Sequence, residues 1–136
     1  MYARIEVISA VIIEDDPVTA LALCELLEHE GLAVRSFSNT DEAFESCCQI
    51  PPDVLISDWC VPGRISPASL VRELKKISNK TRVLFVSGFD PQDVEAQVGD
   101  VVGVEYLTKP VDFEKLLSDI HRGTDTSSDE RSLGVI

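Results

Sequence analysis

The ten residues from Val54 to Gly63, "VLISDWCVPG", decide the fold. Successive side chains of a strand point to opposite faces, and Val54, Leu55, Ile56 and Ser57 put apolar or small groups on both. A strand covered on both faces belongs to a parallel sheet flanked by helices, because parallel neighbours are joined by crossover connections. The run then stops at Asp58, beside Trp59, the single tryptophan of the chain. A buried strand ending on an acid holds that carboxylate rigidly at the sheet edge, a position suited to chemistry.

Outward from this stretch, four more short apolar runs occupy residues 10–13, 32–37, 83–86 and 104–107, and amphipathic segments separate them. The alternation predicts an α/β fold with a parallel sheet and helices on both faces. Helix starts are written into the chain. Asp16-Pro17, Ser66-Pro67 and Asp90-Pro91 each set a capping side chain before a proline, whose missing N–H costs nothing in a first turn. Asn39 with Glu42 reads as a capping box. Gly31 ends the first helix, whose Leu23, Leu26 and Leu27 share a face. A fifth helix is predicted over 112–121, with Phe113, Leu116, Leu117 and Ile120 inward. Five β-α units are too few for a closed eight-stranded barrel and make an open, doubly wound sheet. This domain spans residues 10–122, preceded by an extension at 1–9 and followed by a polar, flexible tail at 123–136.

Composition narrows the function. The chain of 136 residues fits one domain, and its formal net charge of -12 disfavours nucleic acid or an anionic membrane surface as partner. No apolar run is long enough to cross a bilayer, and the first ten residues lack the layout of a secretion signal, so a cytoplasmic protein is expected. Cys24, Cys47, Cys48 and Cys60 have no metal-type spacing and read as reduced, mostly structural thiols.

In doubly wound sheets, ligands sit at the carboxyl ends of the strands. Those ends carry Glu14 and Asp15, Asp58, Ser87 and Lys109, while Asp16 is already explained as a helix cap. With strand order 2-1-3-4-5 they line one rim, about 4.8 Å apart per step. Three crowded carboxylates repel one another unless a cation neutralises them, and oxygen-only ligands suit magnesium. Lys109 adds a positive charge, and the Ser87 hydroxyl can donate to an anion. Such a rim can hold a phosphoryl group, with Asp58 as covalent acceptor.

Together, "VIIEDDP", "PDVLISDWCVPG", "RVLFVSGFD" and "EYLTKPVD" closely resemble the receiver domain of two-component response regulators over about residues 10–121. The resemblance implies a flavodoxin-like fold and a phosphoprotein that takes a phosphoryl group from a histidine kinase or histidine phosphotransfer protein. Asp58 would be the phosphoacceptor. Asp15 would ligate Mg2+ directly, Glu14 largely through water, and Cys60 through its backbone carbonyl. Ser87 would be the switch hydroxyl, Lys109 the phosphoryl-binding lysine before a cis bond to Pro110, and Tyr106 the aromatic that turns on activation. Cys60, Gly88 and Phe89 occupy positions that modulate phosphoryl lifetime, and none readily activates water, which implies slow self-dephosphorylation and no turnover as an enzyme. After Pro62-Gly63 the chain departs from the family with "RISPAS", so the loop before the third helix is expected to differ. Output would pass to a protein partner through helix 4, strand 5 and helix 5, or through a phosphorylation-dependent homodimer. Two other functions stay open. One is a magnesium-dependent aspartyl-nucleophile phosphatase of the haloacid-dehalogenase type, disfavoured because Glu14 stands where that family has Asp. The other is a pseudo-receiver that binds partners without phosphorylation.

Overall fold

Five parallel strands stand where the apolar runs predict them, in a computed structural model that describes residues 6–122. They are β1 (Ser9–Ile13), β2 (Ala33–Phe37), β3 (Val54–Asp58), β4 (Arg82–Ser87) and β5 (Val104–Thr108). Helices α1 (Pro17–His29), α2 (Thr40–Gln49), α3 (Pro67–Ile77) and α4 (Pro91–Val98) connect them, and α5 occupies residues 113–122. The sheet order is β2-β1-β3-β4-β5, the order on which the shared rim depends. Register levels the strand ends: Ile13 pairs with both Phe37 and Ser57, Asp58 with Val86, and Ser87 with Thr108.

Alternation along the strands divides the core in two. Val11, Ile13, Leu55, Val83 and Phe85 face one way, packing with Ala43 and Cys47 of α2, Leu70 and Leu74 of α3, and Val94 and Val98 of α4. Their neighbours Ala10, Ile12, Val54, Ile56, Leu84 and Val86 face the other way, against Leu23 and Leu27 of α1 and Leu116 and Ile120 of α5. Each large aliphatic side chain buried this way stabilises the fold by about 1.5–3 kcal/mol. This two-sided burial is why β1, β3 and β4 read as continuous apolar runs.

The caps form as the sequence predicts. Asp16 accepts from Thr19 N at 3.2 Å, Asn39 from Glu42 N at 2.9 Å, Ser66 from Ser69 N at 3.1 Å and Asp90 from Gln92 N at 2.8 Å. Asp112 does the same for α5, accepting from Glu114 N and Lys115 N. Gly31, at φ +90°, takes the left-handed turn that closes α1.

Four expectations are corrected. Phe113 does not face inward: it is 42% exposed, because α5 turns Leu116, Asp119 and Ile120 toward the sheet instead. The run at 32–37 is not a strand buried on both faces. As the edge strand, β2 leaves Ala33 and Ser36 in solvent, and Arg35 reaches across to the α2 C-terminus, donating to Ser46 Oγ at 2.6 Å and Ile50 O at 2.6 Å. All four cysteines are free thiols, yet only Cys47 is buried, while Cys48 and Cys60 lie at the surface. Ser9 already belongs to β1, one residue into the stretch read as an extension. Residues 1–5 and the 123–136 tail lie outside the described residues.

Candidate functional site

β1 delivers Glu14 and Asp15 to the rim. Glu14 follows the last residue of the strand, is held by its amide bond to Phe37 O at 3.0 Å, and is buried. β3 delivers Asp58 as its final residue, with Oδ1 accepting from the Cys60 amide at 3.1 Å and Oδ2 from Lys109 Nζ at 2.7 Å. Lys109 Nζ also stands 3.9 Å from Glu14 Oε1. Carboxylate oxygens of Glu14, Asp15 and Asp58 all lie within 4.8 Å of one another, so residues distant in the chain share one small acidic pocket. Asp58 is thus one half of a close ion pair.

Ser87 closes β4. Its carbonyl accepts from the Lys109 amide at 2.8 Å and its hydroxyl accepts from Phe89 N at 2.9 Å, which leaves the hydroxyl proton for another acceptor. The Lys109–Pro110 bond is cis, as the resemblance implies. A Cβ built on Gly88 would meet nothing within 4 Å, and Phe89 is 58% exposed. Tyr106 belongs to the middle of β5 and packs against the core on the Phe85 face of the sheet. Its ring stacks on Phe85 at 6.2 Å, and Phe85 in turn forms a T-shaped pair with Trp59 at 5.2 Å.

Electrostatics follow the geometry. Burial raises the Glu14 pKa, the Asp16 backbone N–H opposes this, and the nearby Asp58 carboxylate adds to the rise. The hydrogen bond to Asp58 raises the Lys109 pKa, so its ammonium is charged at neutral pH. The Tyr106 phenol is also held neutral, chiefly by burial. This donor set suits a divalent cation: hard carboxylate oxygens, excess negative charge, and one ammonium that reaches only part of it.

Sequence reasoning missed two parts of the surroundings. A cavity of about 520 Å³ opens beside Asp58 and Lys109 between α1 and α5, with Leu23, Ile56, Val86, Val111, Phe113 and Leu116 among its lining residues. On α1, Val18 and Leu21 are exposed, opposite the inward leucines. Their three-residue spacing was the available signal, masked by the stronger pattern of Leu23, Leu26 and Leu27. No helix among the described residues is long and apolar enough to cross a membrane.

Comparison with known proteins agrees with this arrangement. The response regulator receiver domain profile matches residues 10–121. The chain belongs to the response regulator receiver domain family. Among curated relatives, protein PilH of Pseudomonas aeruginosa is 32% identical over 113 residues, covering 81% of this chain and 92% of PilH. The chain spans about half or less of the length of several other curated relatives it matches. A receiver domain from Clostridium thermocellum superposes with TM-score 0.78 at 26% identity, covering 90% of this chain and 98% of that one. A Burkholderia pseudomallei response regulator, crystallised with a phosphorylated aspartic acid, calcium ion and citrate, gives TM-score 0.74 at 26% identity over 90% of this chain and 72% of its own. Receiver domains are phosphoacceptor modules of two-component signalling, and they typically bind Mg2+ at an acidic pocket.

Proposed function

We propose that Asp58 is the phosphoacceptor of this receiver domain, with Lys109 holding the transferred phosphoryl group and Glu14, Asp15 and the Cys60 carbonyl holding Mg2+. The observation that carries this reading is the Asp58 carboxylate, fixed by its strand and gripped at 2.7 Å by Lys109 within reach of two further acids. The phosphorylated aspartic acid of the Burkholderia relative supports it. Bound Mg2+ supplies positive charge against the phosphoryl oxygens. In the transfer, an Asp58 oxygen forms a bond to phosphorus while the bond from phosphorus to the donor histidine nitrogen breaks. The electron pair of that bond leaves with the imidazole. Lys109 follows the charge from the carboxylate to the incoming phosphoryl oxygens.

Signalling then uses the residues next along the sheet. The Ser87 hydroxyl proton turns to a phosphoryl oxygen, the segment at Gly88 and Phe89 follows, and Tyr106 reorients against Phe85. Histidine kinases or phosphotransfer proteins are the donors, and a downstream protein reads the α4–β5–α5 face, with self-association after phosphorylation as a further output. The site of action is the cytoplasm. The domain carries one phosphoryl group and does not turn over as a phosphatase.

Trp59 makes the test direct. Mg2+ should change its emission, beryllofluoride with Mg2+ should change it further, and Asp58→Asn should abolish the second response together with acid-labile phosphate acquired from acetyl phosphate. An Asp58→Asn chain still labelled by acetyl phosphate would show the acceptor to lie elsewhere. Repeated hydrolysis of simple phosphomonoesters would favour the phosphatase instead.

A further inference from the structure

The loop that follows Asp58 is fastened to the first turn of α2. Thr40, fully buried, donates its amide to Pro62 O at 3.0 Å and its hydroxyl to Ile65 O at 2.6 Å. Asp41, on the surface, accepts from Arg64 N at 2.9 Å and Ile65 N at 3.3 Å. Gly63 lies so close beneath Thr40 that an added Cβ would stand 1.8 Å from the hydroxyl oxygen, at φ +143°. On the other side, the Trp59 amide bonds to Val86 O and the Cys60 amide to Asp58, while Val61 and Ile65 pack on the core. The segment from Trp59 to Ile65 is therefore tied at nearly every residue.

An acidic cap residue at α2 would be sufficiently explained by its own helix, but Asn39 already fills that role. Asp41 instead spends both oxygens on a neighbouring loop. Freely jointed, that loop would have to order itself when a cation takes the Cys60 carbonyl, and the ordering would weaken binding. Held from both ends, it presents the carbonyl in advance.

We propose that Thr40 and Asp41 are positioning residues for the metal site, fixing residues 62–65 so that the Cys60 carbonyl is set before a cation arrives. The inference rests on the metal set given above and concerns groups that never touch the ion. Supporting groups of this kind are worth roughly 10–100-fold in metal affinity at strongly bound sites.

The test uses the full chain. Mg2+ is titrated against Trp59 emission for the parent, Asp41→Ala, Thr40→Val and Thr40→Ser, and amide exchange at Arg64 and Ile65 is followed in EDTA. Asp41→Ala, being a surface change, should fold normally, expose both amides to exchange and weaken Mg2+ binding about tenfold. Thr40→Val should weaken it likewise, and Thr40→Ser, which restores the hydroxyl, should bind as the parent does. Affinities within about twofold of the parent in both Asp41→Ala and Thr40→Val overturn the inference. So do unchanged exchange rates at the two amides. A parent without any Mg2+ response fails the function proposed above and this inference with it; a responsive parent with indifferent variants fails this inference alone.

Discussion

Phe89 offers a test of how far a single side chain governs the proposed acceptor. It is exposed two residues past Ser87 and offers no acid or base to a water attacking phosphorus. Phe89→Glu should shorten the lifetime of phosphate on Asp58 about tenfold or more, read as decay after the donor is removed. A variant that keeps phosphate as long as the parent would refute the role given to this position. The thiols make a second residue-scale case. Burial pushes the Cys47 thiol up to about 11, whereas Cys48 and Cys60 lie at the surface. In native protein near pH 8, iodoacetamide should label Cys48 and Cys60 and spare Cys47 until urea opens the core. Mass spectrometry finding Cys47 modified without denaturant would contradict the packing. Glu14 and Asp15 of "VIIEDDP" and the lysine of "YLTKP" could be read from sequence, because a charged residue ending an apolar run has few structural excuses once Asp16 is set aside as a helix cap. That Asp58 is already paired with Lys109 could not be read, since pairing depends on distances that strand order alone leaves open.

Elements were legible where local chemistry dictates them. Each capping side chain predicted before α1, α2, α3 and α4 accepts from its helix, since an N-cap needs only neighbours two or three residues away. Inward faces were less secure. Phe113 fits the apolar spacing of Leu116 and Ile120, but the rotation of α5 on the sheet is set by packing and leaves the ring partly exposed beside the cavity. The loop after β3 was expected to differ, and its attachment to Thr40 and Asp41 was invisible because those contacts span 22 to 25 residues. Gly63→Ala tests this element directly. The new methyl must displace Thr40 from a site with no slack, so urea unfolding should show a loss of about 1–3 kcal/mol. An unchanged midpoint would mean the loop stands further from α2 than described.

At the scale of the whole molecule, the sheet order β2-β1-β3-β4-β5 turns separate strand ends into one pocket, and burying Glu14 there costs stability. Glu14 is the measure of this cost. Its carboxyl pKa is raised above its ordinary value, mainly by burial, so the folded state holds the ionised form less readily than the unfolded chain does. Below that value both states are protonated and nothing is lost; as pH rises through the folded pKa, stability falls. In EDTA, Glu14→Gln should therefore match the parent in acid and exceed it increasingly toward neutral pH, by urea titration. A gap that stays constant with pH would count against the assignment.

Phe85 also makes neighbours of two chromophores. It pairs with the indole in a T shape and with the phenol ring stacked, so light absorbed by the phenol has a short route to the indole, and the two rings share one packed environment. The lone tryptophan is consequently a gauge of both ends of this aromatic row. If the phenol turns as proposed, the indole emission should register charge arriving at the rim and rotation of the phenol alike, and a titration curve with two inflections would be the signature of a rim that fills before the phenol turns.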